Sequence, residues 1–102
     1  MNLANYQSFV ETGASGDSDN DAYCVIALNE EAGEVAGWYK KFVMRGNRKG
    51  NLSKKDLAEE LGDVLWYLTK IAKNNGWTLN DIMEINFAKL TMRKAKDGLK
   101  AG

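Results

Sequence analysis

Five carboxylates stand out by their spacing. Glu30, Glu31 and Glu34 fall inside EEAGEVAGWYKK (30–41), and Glu60 and Asp63 fall inside EELGDVLWYL (59–68). On a helix, Glu31 and Glu34 project from one face, Glu30 lies one turn back from Glu34, and Glu60 and Asp63 repeat the same three-residue step. Both groups sit within apolar stretches rather than at helix N-termini, where the macrodipole would favour acids. Like charges one turn apart weaken a helix. Brought together in a partly buried site, four unpaired carboxylates repel one another and their pKa values rise. A divalent cation relieves that repulsion, and oxygen-only ligands suit Mg2+ or Mn2+ better than zinc or copper. The plainer alternative is a solvated helix face paired with lysines, and either group alone fits it. Two groups, each in an apolar setting beside small residues, favour the cation site.

Other chemistries are narrowed by what is missing. The chain of 102 residues has no histidine, which removes Ser-His-Asp and Cys-His catalysis, His-based zinc sites and Glu-x-x-His di-iron bundles. The lone Cys24 cannot form an internal disulfide, which fits a reducing cytoplasm. Lys+Arg and Asp+Glu balance at 14 each, so the basic excess usual in a nucleic-acid binder is absent. No apolar run approaches a membrane span, and no signal peptide is expected. The length predicts one domain, small enough for a partner subunit to add stability.

The elements that must position the acids are helices, because proline is absent and apolar residues recur at helical spacing. The pattern predicts a short first helix over about 3–11, with Leu3, Tyr6 and Val10 on one stripe, ending in the turn-rich GASGDSDND. The second helix is expected to open near Ser18, with Asp21 three residues on, and to run to about Met44. The third begins at Ser53 with Asp56 as its capping partner, carries Leu57, Leu61, Val64, Leu65, Leu68 and Ile71, and stops at Asn75-Gly76 near Lys73. The fourth starts at Thr78, with Asp81 at its third position, and carries Leu79, Ile82, Ile85 and Leu90 to about Lys96, followed by a frayed tail. No strand is expected. The result is an all-α four-helix bundle in which a short connector makes the second and third helices antiparallel neighbours.

Three further stretches carry two readings each. GDSDNDAY alternates Asp17, Asp19 and Asp21 like a calcium loop, but Ala22 stands where glycine is needed and Leu28 where the bidentate glutamate is needed. A capping, solvated loop fits better. RGNRKGN (45–51) combines glycines with Arg45, Arg48 and Lys49 and could contact phosphate, although it lacks the Walker spacing and is explained equally by a polar connector. Ala32, Gly33, Ala36, Gly37 and Gly62 leave the acidic helices with little bulk, either for close helix packing or as room for metal, water and phosphate.

EEAGE (30–34) and ELGD (60–63) together resemble the EExxE…ExxD signature of the MazG-like nucleoside triphosphate pyrophosphohydrolases, within the all-α pyrophosphohydrolase superfamily. EELGDVLWYL resembles the third helix of that family, and Asn86, Lys89 and Arg93 resemble its fourth-helix pattern, so the resemblance covers roughly residues 22–96. It implies a MazG-like bundle of a short N-terminal helix and three longer ones. It also implies Mg2+-dependent cleavage of a nucleoside triphosphate between the α and β phosphates, with Mn2+ as a substitute cation. By the same resemblance Glu31, Glu34, Glu60 and Asp63 hold the metal, and Glu30 either supports these ligands from behind or orients and deprotonates the attacking water. Asn86, Lys89 and Arg93 contact substrate. Lys40 and Lys41 are further candidates for phosphate, explained equally by a solvated helix end, and Lys94 is a weaker one. Trp38, Trp66, Tyr67 and Phe87 are candidates for base stacking, against the commoner role of aromatics in a core or subunit interface. A homodimer or homotetramer is expected, with neither nucleic acid nor membrane as partner. The competing readings are a helical oligomerisation or regulatory module that binds nucleotide or metal without turnover, and a same-superfamily enzyme acting on phosphoribosyl-ATP.

Overall fold

A computed structural model describes residues 1–13 and 16–101 of the chain. Helix α1 spans Leu3–Gly13, a 3-10 turn spans Gly16–Asp19, α2 spans Asp21–Tyr39, a π-helical turn spans Lys40–Met44, α3 spans Lys54–Asn74 and α4 spans Leu79–Ala101. The described residues contain no strand, so the fold is all-helical.

Two starts follow directly from capping chemistry. At α3 the Ser53 hydroxyl accepts from the Asp56 N–H while the Asp56 carboxylate accepts from the Ser53 N–H, at 3.4 and 2.7 Å. Thr78 and Asp81 make the same reciprocal pair before α4, at 3.0 and 2.9 Å. Each pair satisfies two N–H groups that a helix start otherwise leaves open. The stop after α3 is also as expected, with Gly76 in the left-handed region at φ +83°.

Three boundaries differ from the sequence reading. Ser18 does not start α2: it lies in the 3-10 turn, and the Asn20 side chain caps the helix by accepting from the Tyr23 N–H at 3.2 Å. The helical path does continue to Met44, but its last turn widens to π, with the Arg45 N–H reaching back to the Lys40 carbonyl at 3.0 Å. Helix α4 does not stop near Lys96; it continues through Ala101, while Ala14, Ser15 and Gly102 lie outside the described residues.

The core runs along α2 and α3, with α1 laid against α3. Val10, Cys24, Trp38, Ala72 and Leu79 are its buried apolar residues. Trp38 locks the far end: its ring stacks on Phe42 at 4.7 Å between centroids, and its indole N–H donates to the Ser53 carbonyl at 2.9 Å. At the near end the buried Lys70 ammonium pairs with Asp19 at 3.0 Å, and Asn75 donates to the Asp21 carboxylate at 3.1 Å. These aspartates therefore tie the 3-10 turn and the start of α2 to the end of α3. Helix α4 is tied down at its start, where the Leu79 N–H donates to the Gln7 side chain. Its described residues from Met83 onward are all exposed. No described helix is long and apolar enough to cross a membrane.

Candidate functional site

The packing of α2 against α3 brings Glu31, Glu60 and Asp63 together, with one carboxylate oxygen from each within 4.8 Å of the other two. Glu31 and Glu60 are half-buried and Asp63 is exposed. Burial pushes the Glu31 carboxyl above the ordinary carboxylate value, and the charges of Asp63, Glu60, Glu30 and Glu34 push it the same way. Glu60 is raised by burial first and then by Glu34, Asp63, Glu59 and Asp56. Among the described residues the ion pairs are Lys70–Asp19 and Lys73–Glu11, so no described lysine or arginine forms an ion pair with the three. Three carboxylates held together at such a cost suit a hard divalent cation, which takes oxygen ligands and supplies the missing charge.

Glu34 joins this group from the side. It lines a recess of about 160 Å3 together with Gly37, Trp38, Lys41, Leu52, Asp56 and Glu60. Glu60 thus belongs both to the three-carboxylate cluster and to the recess beside it. Glu30 is exposed on α2 next to Glu31. A Cβ added at Gly33, Gly37 or Gly62 would meet nothing within 4 Å, so close helix packing within this chain does not explain these glycines. At Gly37 the missing side chain is open space at the recess wall.

The structure places the fourth-helix candidates apart from the acids. Lys89 and Arg93 line a shallow surface recess on α4 with Ala88, Met92 and Lys96, and Asn86 is exposed on the same helix. No hydrogen bond or ion pair among the described residues joins them to the acidic cluster. Of the aromatic candidates, Trp38 is committed to the core and Phe87 is exposed on α4. Trp66 and Tyr67 pack edge to face at 5.1 Å.

Two tyrosines at the acids were not singled out by sequence for that role. Burial raises the Tyr67 phenol pKa, with Tyr23 and Glu31 adding to it, and burial with Asp63 raises that of Tyr6. For Tyr67 the sequence held a signal, since it stands one turn beyond Asp63 on α3. Asp56 is likewise one turn before Glu60 and shares its recess. Tyr6 gave no such signal, because its approach depends on how α1 lies on α3.

Residues 22–96 match the family model described as MazG nucleotide pyrophosphohydrolase domain. Among curated proteins, the chain is similar to the Gene 37 protein of Mycobacterium phage L5, at 34% identity over 86 residues, covering 78% of this chain and 74% of that protein. No solved structure matches. The matched segment contains both acidic motifs, the helices that bring them together and the start of α4. The chain belongs to the MazG nucleotide pyrophosphohydrolase domain family.

Proposed function

We propose that this chain is a Mg2+-dependent nucleoside triphosphate pyrophosphohydrolase, acting as one domain over residues 1–102. It cleaves ribo- or deoxyribonucleoside triphosphates between the α and β phosphates, giving the monophosphate and pyrophosphate, in house-cleaning of a cytoplasmic nucleotide pool. The observation that carries this reading is the meeting of Glu31, Glu60 and Asp63 within 4.8 Å, with no ion pair to them among the described residues, in a segment of this family.

Glu31, Glu34, Glu60 and Asp63 hold the cation, and Mn2+ can replace Mg2+. When bound, such a cation offsets phosphate charge and makes water a better nucleophile. Glu30 orients the attacking water and takes its proton, since without histidine a carboxylate is the available base. One P–O bond forms to that water oxygen and one P–O bond of the α–β bridge breaks. Lys41, on the wall shared with Glu34 and Glu60, contacts phosphate. Asn86, Lys89 and Arg93 contact substrate from the α4 of a second copy in a homodimer or homotetramer. Their separation from the acids within one chain supports that arrangement, as does the exposed apolar surface of α4.

The test is incubation of the purified chain with a panel of nucleoside triphosphates and Mg2+, with both products identified. Pyrophosphate and monophosphate are expected, with loss of turnover in Glu60→Gln and Asp63→Asn. Bound but intact nucleotide in every case overturns the enzyme reading in favour of a non-catalytic binding module. Turnover of phosphoribosyl-ATP alone reassigns the substrate within the superfamily.

A further inference from the structure

The connector between α2 and α3 carries, beyond Lys41, cations that the proposed reaction does not yet use. Lys41, Arg45, Arg48 and Lys49, with Asn47, Asn51 and Leu52, line a recess of about 360 Å3 that contains no acidic residue. That volume falls within the usual range for small-ligand sites. The loop is also built to hold its shape. Asn47 has a left-handed backbone at φ +53°, and its side chain closes the loop from both sides on Leu52. It donates to the Leu52 carbonyl at 3.1 Å and accepts from the Leu52 N–H at 3.3 Å. The Gly50 N–H donates to the Asn47 carbonyl at 2.8 Å, and the Asn47 N–H donates to the Lys41 carbonyl at 2.9 Å. The next residue, Ser53, is pinned to the core by the Trp38 indole.

This basic recess adjoins the acidic site. Lys41 and Leu52 line both it and the recess that holds Glu34 and Glu60. Glu34 and Lys41 are two helical turns apart on one face, about 10 Å along the axis. The wall therefore changes from carboxylates, where a cation can sit, to lysine and arginine, where no carboxylate competes for an anion. A ligand suited to both ends carries a cation-binding phosphate and a further, highly charged anionic group beyond it. Arginine suits this because its planar fork binds phosphate oxygens in pairs.

We propose that the connector recess receives the β,γ end of the nucleoside triphosphate and holds the pyrophosphate released from it. This assignment rests on the pyrophosphohydrolase reading for its biological ligand, but it is tested with inorganic pyrophosphate, which requires no turnover.

Calorimetric titration of the full chain with pyrophosphate and with a nucleoside monophosphate, both with Mg2+, separates the two halves of the site. Arg45→Gln combined with Arg48→Gln is expected to weaken pyrophosphate binding about tenfold or more and leave monophosphate binding unchanged. Arg45→Lys with Arg48→Lys keeps the charge and is expected to lose less, which separates lost cations from a collapsed loop. An unchanged thermal midpoint in the glutamine variant completes that control. Wild-type pyrophosphate affinity in the glutamine variant overturns the proposal, as does an equal loss for monophosphate. A chain that hydrolyses no triphosphate but binds pyrophosphate through Arg45 and Arg48 overturns the reaction and keeps the anion site.

Discussion

At the scale of single residues, Glu60 sets the most informative test. Its pKa and that of Glu31 are raised in the folded chain, so the folded state holds these protons more tightly than the unfolded state does. Stability from this source is therefore fully present below the ordinary carboxylate value of 4.5 and is lost as pH rises through the raised values. In a chelator-treated sample, Glu60→Gln removes one charge from the cluster and relieves the repulsion. Its thermal midpoint is expected to exceed that of the wild type near neutral pH, with the difference shrinking as pH falls toward 4.5. Saturating Mg2+ should reverse the order, because the cation stabilises only the chain that binds it well. Thermal melts across pH, with and without Mg2+, check both signs; the same midpoint for the two proteins at neutral pH without metal contradicts the cluster. Mg2+ affinity of the wild type should likewise weaken as pH falls, because protons and metal compete for the same oxygens.

At the scale of elements, the connector and the caps decide how firmly α2 and α3 present their acids. Trp38→Phe keeps an aromatic ring to pack against Phe42 but removes the donor to Ser53, at a cost of about 1 kcal/mol, measurable by urea unfolding. Asn47→Gly keeps the left-handed backbone but loses both side-chain bonds to Leu52, with a similar penalty. An unchanged midpoint for Asn47→Gly would mean that these bonds do not hold the loop. The same elements show what a sequence can reveal. The starts of α3 and α4 were legible because Ser53 with Asp56, and Thr78 with Asp81, act entirely through neighbours three residues away. The acids were legible for the same reason: an i, i+3 step fixes their common face whatever packs against it. The start of α2 was not, because DSDND offers several competent caps and the pairing of Asp19 with Lys70, distant in sequence, helps choose among them. The π turn at Lys40–Met44 has no residue type that encodes it. The tail after Lys96 was expected to fray, whereas α4 continues through Ala101.

At the scale of the whole molecule, the single chain is open, which supports the homo-oligomer proposed above. Its radius of gyration is 17.3 Å, against about 13 Å for a compact chain of this length. Met83, Ile85, Phe87, Leu90 and Met92 are each at least half exposed on α4, and Val25, Ile26, Leu61 and Leu65 remain open on α2 and α3. Exposed apolar residues in this number support that proposal, since large apolar patches are uncommon on monomers. The basic side chains Lys89 and Arg93 stand among those residues of α4, while the clustered acids of α2 and α3 form no ion pair among the described residues, so a second copy can cover the apolar face and complete the site together. Sedimentation should therefore give a dimer or tetramer, and Phe87→Asp should weaken assembly and hydrolysis together. Complementation is the sharper measurement. Glu60→Gln and Arg93→Gln are each expected to be inactive alone. If Arg93 serves the acids of its neighbour in a symmetric dimer, each mixed dimer contains one site with intact acids and an intact α4. Random re-association of equal amounts then restores about a quarter of the wild-type activity, since half the dimers are mixed and half their sites are whole. A mixture no more active than its components places Arg93 outside the neighbouring site and leaves α4 an assembly element only.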